Sequence, residues 1–263
     1  MDGGATRTYQ TQAIIIKQIK LGETDKLLTL YSPKFGKLKA VAKGACRPGS
    51  KLGGNVEPLT HSLLMLARGR NLGIITQSQI IDGFLALKRD LWRMACGLYV
   101  LELIDSFTVE NNENRPLFDL LLATLHRLCQ ADDSEIVLRY FELNFLHYLG
   151  YRPQLRQCVC CNLPLRPVVN FFSPSEGGVL CSSCSRKELI SQPISVDALK
   201  ILRLWQNCDY ATAERVRVKS ELSLELKQLL QGYIRYLAQR EFKSVAWLEE
   251  LRKTVIDSGG ETE

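Results

Sequence analysis

The sequence predicts an α+β chain, with an N-terminal all-β barrel over residues 1–82 and an all-α domain over 83–263 that carries a four-cysteine module at about 154–188. Three observations predict it. Short β-branched runs punctuated by glycine fill the first 80 residues. Leucine-rich stretches with spacings of three and four begin after residue 85. Five of the nine cysteines crowd into residues 156–187.

The first run, 13–19, is β-branched and precedes a turn-like 21–25. Runs 26–32 and 36–42 flank a short turn, with the clearest apolar alternation in the second, which is the period of a strand with one buried face. A basic, glycine-rich stretch follows at 43–55, and 61–67 with 72–81 read as another hairpin around a turn at 67–71. Five short strands in this space fit a small barrel, with the OB-fold as the obvious candidate and an SH3-like barrel as the alternative that periodicity leaves open. Leu87, Leu91, Met94, Ala95, Leu98 and Leu101 then mark a helix. Pro116 can open the next, at 117–128, because its missing N–H has no helical acceptor there. Further helices are expected at 134–150 (capped by Ser134 and closed by Gly150), 196–207 (capped by Ser195), 221–240 and 244–256.

Net charge is +6, but its distribution says more than its size. Residues 1–80 hold twelve Lys or Arg against four acids, and the rest of the chain holds 22 against 24. A basic module joined to a neutral body points to a polyanion partner. Lys34, Lys37, Lys39, Lys43, Arg47 and Lys51 follow one another with no acid between them, and Arg68 and Arg70 lie in the next hairpin turn. Glycines at 44, 49, 53 and 54 allow a loop to follow a phosphate backbone. Tyr31 and Phe35 are candidates for stacking on bases. A nuclease needs clustered carboxylates to hold Mg²⁺. The basic third has four acids, and Asp132-Asp133 reads as a solvated inter-helix turn.

The start of the chain has neither a basic n-region nor an apolar h-region, and no apolar run is long enough to span a bilayer, so a cytoplasmic location without membrane association is expected. Cysteines stay reduced there, which favours metal or redox chemistry over a disulfide framework. Cys158-x-x-Cys161 and Cys181-x-x-Cys184 have the spacing of a four-thiolate zinc site. Thioredoxin-like redox chemistry needs a βαβ setting that the sequence does not show. Four thiolates close the metal's shell, which makes one zinc a structural clamp for a segment too small for its own core. His61, His126 and His147 lie far from the cysteines in sequence. Cys160 could substitute for Cys158 or Cys161, but the two-residue spacer favours those two as ligands.

Three stretches carry a family resemblance. The first contains Lys43-Gly44-Ala45-Cys46-Arg47, Ser50-Lys51-Leu52 and Gly54. The second runs from Phe141-Glu142-Leu143 through Leu149-Gly150-Tyr151 and Pro153 to Cys158 and Cys161. The third is 171–184, ending on Cys181 and Cys184. In this order they resemble the RecO family of bacterial recombination mediators across nearly the whole chain. Cys46 departs from the pattern, standing where many relatives carry a basic residue. The resemblance implies an OB-fold and a helical domain with a zinc module, and no enzymatic turnover. It also implies DNA repair and recombination in the cytoplasm at the nucleoid: binding of single- and double-stranded DNA, annealing of complementary strands, and work with RecR to load RecA onto strands coated by the single-stranded-DNA-binding protein SSB. The acidic, aromatic-ended SSB tail would meet the helical body, where Trp205, Tyr233, Tyr236, Arg215, Arg217 and Arg235 are candidates for its pocket. The alternative is a zinc-bearing RNA-binding or transcription factor without a recombination role.

Overall fold

The structure is a computed structural model. It describes residues 8–50, 52–69 and 72–258, without the side chains of 253–258. Lys51 and Arg70 therefore lie outside the described residues. The strands are β1 (Thr8–Leu21), β2 (Asp25–Ser32), β3 (Gly36–Ala42), β4 (Thr60–Ala67), β5 (Gly73–Asp82), β6 (Asn170–Ser173), β7 (Gly178–Leu180) and β8 (Gln192–Ile194). The helices are α1 (Leu85–Arg89), α2 (Leu91–Phe107), α3 (Arg115–Gln130), α4 (Ser134–Tyr148), α5 (Val196–Trp205), α6 (Tyr210–Ala213), α7 (Ser220–Ala238) and α8 (Lys243–Ser258). Two compact units divide the chain: Met1–Gln130 with Lys243–Glu263, and Ala131–Phe242. The change from strand to helix at residues 82–85 thus falls inside the first unit.

In that unit β1 to β5 close into a barrel in the order β1-β2-β3-β5-β4. β1 belongs to both halves. Its first part pairs with β4, from Thr8↔Ala67 to Ile15↔Thr60, and its second with β2, from Ile14↔Tyr31 to Leu21↔Asp25. A register shift between Ile15 and Lys17 bends it from one partner to the other. Residues 8–12 are thus strand too, although their polar sequence does not announce it. Parallel pairing of Ala40 with Gly73 and of Val41 with Ile74 completes the closure. Alternate residues point inward, and Ile15, Leu28, Leu30, Leu38, Ala40, Leu64, Leu66 and Ile75 form the core together with Ala45 and Val56 from the β3–β4 connection. β2 is covered on its outer face as well: Thr29 and Tyr31 are buried, and Tyr31 stacks on Phe118 of α3 with ring centroids 6.4 Å apart.

The helix expected around residues 87–101 is two helices, because the extended backbone of Asp90 interrupts it. The Asp90 carboxylate accepts from the Arg93 N–H at 2.9 Å and starts α2 afresh. α8 returns to pack on α2, where Glu102 accepts from the backbone N–H groups of Lys243 and Ser244 at 3.2 and 2.9 Å. A carboxylate at a helix N-terminus satisfies orphan donors and complements the macrodipole.

The second unit packs α4, α5, α6 and α7 with a three-stranded sheet of order β7-β6-β8. α4 is capped by Asp133, which accepts from the Glu135 N–H at 2.8 Å, so Ser134 is the first helical residue and not the cap expected of it. Gly150 takes φ +85° after α4, and the Tyr151 N–H reaches back to the Leu146 carbonyl at 2.8 Å, a left-handed closure that glycine allows without strain. Ser195 caps α5 through the Ala198 N–H at 3.1 Å, and its own hydroxyl donates to Glu225 at 2.8 Å. α6 was not expected; Asp209 caps it by accepting from the Thr212 N–H. No helix of the described residues is long and apolar enough to cross a membrane.

Candidate metal centre and nucleic-acid interface

Two turns build the cysteine site. In the first, the Asn162 N–H donates to the Cys158 carbonyl at 2.9 Å and the Cys158 N–H to the Leu163 carbonyl at 2.9 Å, with Asn162 at φ +59°. In the second, the N–H groups of Cys184 and Ser185 both donate to the Cys181 carbonyl, at 3.1 and 3.0 Å. The β6–β7 hairpin carries the second turn directly beyond Leu180. It is joined to the first by the Val159 N–H, which donates to the Val179 carbonyl at 3.0 Å. Gly178 makes this crossing possible: a Cβ there would stand 2.6 Å from both the Gln154 carbonyl oxygen and Val159 Cγ1.

The sulfurs of Cys158, Cys161, Cys181 and Cys184 all lie within 4.8 Å of one another, and those of Cys161 and Cys181 are 4.0 Å apart. A tetrahedral shell with Zn–S near 2.3 Å places its sulfurs about 3.8 Å apart, so the set fits a cation of this kind. One of the four sulfurs, that of Cys158, is set up as a thiolate. Burial opposes ionisation of Cys158, but backbone N–H groups of Cys161, Cys181 and Cys160 aim at its sulfur and hold the thiol down at about 6. The neighbouring Cys181 and Cys160 sulfurs push Cys184 the other way, as expected of crowded thiols before a cation takes their charge. Cys160 is exposed and does not belong to the four-sulfur group. None of the three histidines joins it either.

The basic stretch is not one patch. β3 intervenes, and seven residues at ~3.3 Å each separate its ends by about 20 Å. Lys34 lies at one end of the barrel, where Phe35 packs against Tyr9 with centroids 5.0 Å apart and the Arg68 guanidinium stands beside the Tyr9 phenol. Lys43 and Arg47 lie at the other end. Between them, Lys37 is mostly buried and donates to the Asp105 carbonyl at 2.6 Å, and Lys39 pairs with Glu110 at 2.6 Å, which raises its pKa. Carboxylates of the chain thus engage both, Lys37 largely buried and Lys39 still exposed. Among the described residues, Lys34, Lys43, Arg47 and Arg68 are exposed and form no ion pair.

The glycine-rich loop is folded, not loose. Successive turns run through it, with Arg47 N–H to Gly44 O, Ser50 N–H to Arg47 O and Gly53 N–H to Ser50 O. Asp25 anchors it by accepting from the Gly44 N–H at 2.8 Å, and the Cys46 N–H donates to the Thr24 carbonyl at 2.8 Å. That donation to its carboxylate, helped by Thr24, Lys43 and Arg47, lowers the Asp25 pKa. Cys46 thus serves the anchor through its backbone, while its side chain is half-buried.

Base stacking by Tyr31 is excluded by its complete burial between β2 and α3. Phe35 is half-buried and plugs the barrel end. In the second unit Trp205 and Tyr233 are packed inside, Tyr233 edge-on to Phe172 at 5.3 Å. The aromatic pocket expected from them is therefore core, with only Tyr236 of the three exposed. Arg235 pairs with Glu241 at 3.5 Å, and Arg215 and Arg217 are exposed.

Comparison with known proteins divides the chain at the change from strand to helix and not at the boundary of the two compact units. Residues 6–84 match the family model described as Recombination protein O N terminal, and residues 88–246 match Recombination protein O C terminal. A protein of Roseiflexus sp. (strain RS-1) named DNA repair protein RecO is 39% identical over 252 residues, covering 96% of this chain and 89% of that protein. Proteins of the same name from Dehalococcoides mccartyi (strain BAV1) and Halalkalibacterium halodurans are 38% and 30% identical, covering 93% and 92% of this chain and 96% and 95% of theirs.

Proposed function

Because the chain belongs to the RecO family of DNA repair proteins, we propose that it is a recombination mediator that binds single- and double-stranded DNA, anneals complementary strands and, with RecR, helps load RecA onto SSB-coated single strands. The observation that carries this reading is the closed barrel with exposed cations at both of its ends. In our reading the barrel is an OB-fold. The strand order, the β1 shared between both halves and the parallel β3–β5 closure support that assignment. Lys43 and Arg47 on the anchored loop, with Lys34 and Arg68 at the far end, neutralise phosphates. Among the described residues nothing in the barrel offers a recognition helix to the major groove, so this electrostatic contribution is independent of sequence.

We assign the cation of the cysteine site as zinc, held by Cys158, Cys161, Cys181 and Cys184. With four thiolates filling its shell, it supplies no water chemistry and ties the two turns of the second unit together. The mediator acts by binding and positioning strands, and leaves them intact in the presence of Mg²⁺.

The test is annealing of complementary strands coated with SSB, run with and without this protein. Acceleration that is lost in the Lys43→Glu/Arg47→Glu double variant supports the reading. Equal rates with and without the protein overturn it, and so does cleavage of the strands.

A further inference from the structure

The outward side chains of β1, β4 and β5 form a regular grid. Gln10 lies across from Met65, and Met65 across from Gln77; one step along, Gln12 lies across from Leu63, and Leu63 across from Gln79. Each row therefore reads carboxamide, apolar, carboxamide, with adjacent strands ~4.8 Å apart. Gln10, Leu63, Met65, Gln77, Ser78 and Gln79 line a depression of about 280 Å³. Among the described residues, no ionisable side chain lines it. Gln12 is tied to His61 at 3.2 Å, whereas the carboxamides of Gln10, Gln77 and Gln79 make no hydrogen bond to any described residue. Gln10, Gln77 and Gln79 are exposed, and Leu63 and Met65 between them are half-buried.

That combination is selective about its ligand. A phosphate offers only acceptors and brings a charge that nothing here compensates. A nucleobase offers a flat apolar face and an edge bearing donors and acceptors together. A carboxamide presents an N–H donor and a carbonyl acceptor in one plane, which matches such an edge, adenine best among the four. Leucine and methionine give the base face an apolar floor, and methionine adapts its shape to what lies on it. The location also suits a strand already held by its phosphates. Met65 lies three positions before Arg68, the exposed cation at the end of β4. The outer face of β2, by contrast, is closed off by α3 within the same unit.

We propose that this face of β1, β4 and β5 is a nucleobase-binding surface for single-stranded DNA, with Gln10, Gln77 and Gln79 reading base edges over Leu63 and Met65. The inference rests on the DNA-binding reading above and adds to it a contribution from bases. A single strand then gains affinity from its bases beyond what its phosphates supply, and oligo-dA gains most.

The experiment measures binding of the full chain to oligo-dA, oligo-dT and an abasic oligonucleotide of equal length at one salt concentration. Oligo-dA is expected to bind about tenfold more tightly than the abasic strand, the size of one good base contact. Gln77→Glu and Gln79→Glu, tested singly, keep the shape of the side chain and remove its donor. Each is expected to cut that ratio at least about threefold. The added charge weakens both strands alike, so the ratio isolates the base contact, and unchanged melting shows that the exposed substitution has left the fold intact. Equal affinity of the wild-type chain for oligo-dA and the abasic strand overturns the inference while leaving phosphate binding standing. A ratio that persists in both variants also overturns it, because the bases are then met elsewhere; a protein partner on this face would give that outcome. Absence of binding to every strand instead sinks the DNA-binding reading itself.

Discussion

Cys158 is buried with three backbone N–H groups aimed at its sulfur, and Cys160, two residues on, is exposed. The fold, not the residue type, separates ligand from bystander. Cys181→Ser should therefore drop zinc from about one per chain to a minor fraction and loosen the second unit, since metal binding energy is also folding energy. Cys160→Ser should retain the metal. Elemental analysis of the purified variants checks both, and the reverse pattern would show that the ligand set is wrong. Tyr31 makes a second case. Its hydroxyl is buried without a hydrogen-bond partner among the described residues, and burial raises its pKa well above the ordinary phenol value. Tyr31→Phe removes a desolvated polar group while keeping the stack on Phe118, so it should leave stability unchanged or raise it by about 1 kcal/mol. Tyr31→Ala, which empties the space between β2 and α3, should cost about 3–5 kcal/mol. Denaturant melts distinguish these from the DNA-contact role, in which Tyr31→Phe would leave stability alone and Tyr31→Ala would weaken binding without destabilising the chain.

Among the elements, α4 shows how far a sequence can be read. Its apolar spacing announces a helix, and Phe141-Glu142-Leu143 is part of the pattern that carries the family resemblance. Nothing local says that Glu142 is wholly buried, or that Arg139, one turn earlier, is buried beside it at 2.7 Å. Glu135 adds a second carboxylate to Arg139 at 3.3 Å. Charges inside a core are stable only when paired, and removing one partner costs far more than the pair contributes. Glu142→Ala should thus destabilise by about 3–5 kcal/mol, and the Arg139→Met/Glu142→Leu double variant by much less. A double-mutant cycle from denaturant melts measures the difference; additive losses would mean that the two charges are not coupled. The cysteine site was legible for the opposite reason. Both of its turns are local, so a spacing of two residues already places a pair of sulfurs. Strand β2 was legible as a strand but not as one covered on both faces, because its second cover, α3, arrives some 85 residues later (Phe118 against Tyr31). Likewise the fate of Lys37 and Lys39 depends on Asp105 and Glu110, which the linear order hides. The glutamine grid escapes a reading by composition because its rows exist only across three strands.

At the scale of the molecule, the question is how much of a basic N-terminal third remains available to a polyanion. Counted along the sequence, Lys34 to Lys51 offers six cations. Folded, Lys37 and Lys39 are engaged by carboxylates, and the exposed cations Lys34, Lys43, Arg47 and Arg68 stand at two ends of a barrel. A single strand that meets these four releases counterions in proportion, so log affinity should fall against log salt with a slope of about −3, where six phosphates would require about −4. The Lys43→Glu/Arg47→Glu double variant removes the contacts of one end. Its slope should flatten to about −1.5, with weaker binding to single- and double-stranded DNA alike. Its zinc content should survive because the cysteines belong to the other compact unit, and its helicity because both substituted side chains are exposed and lie outside the helices. Salt titrations of wild type and variant decide it. A wild-type slope near −3 that the double variant leaves unchanged would move the phosphate contacts off the anchored loop. The exposed Arg156, Arg166, Arg186 and Lys187 around the cysteine turns would then be the cations to replace next.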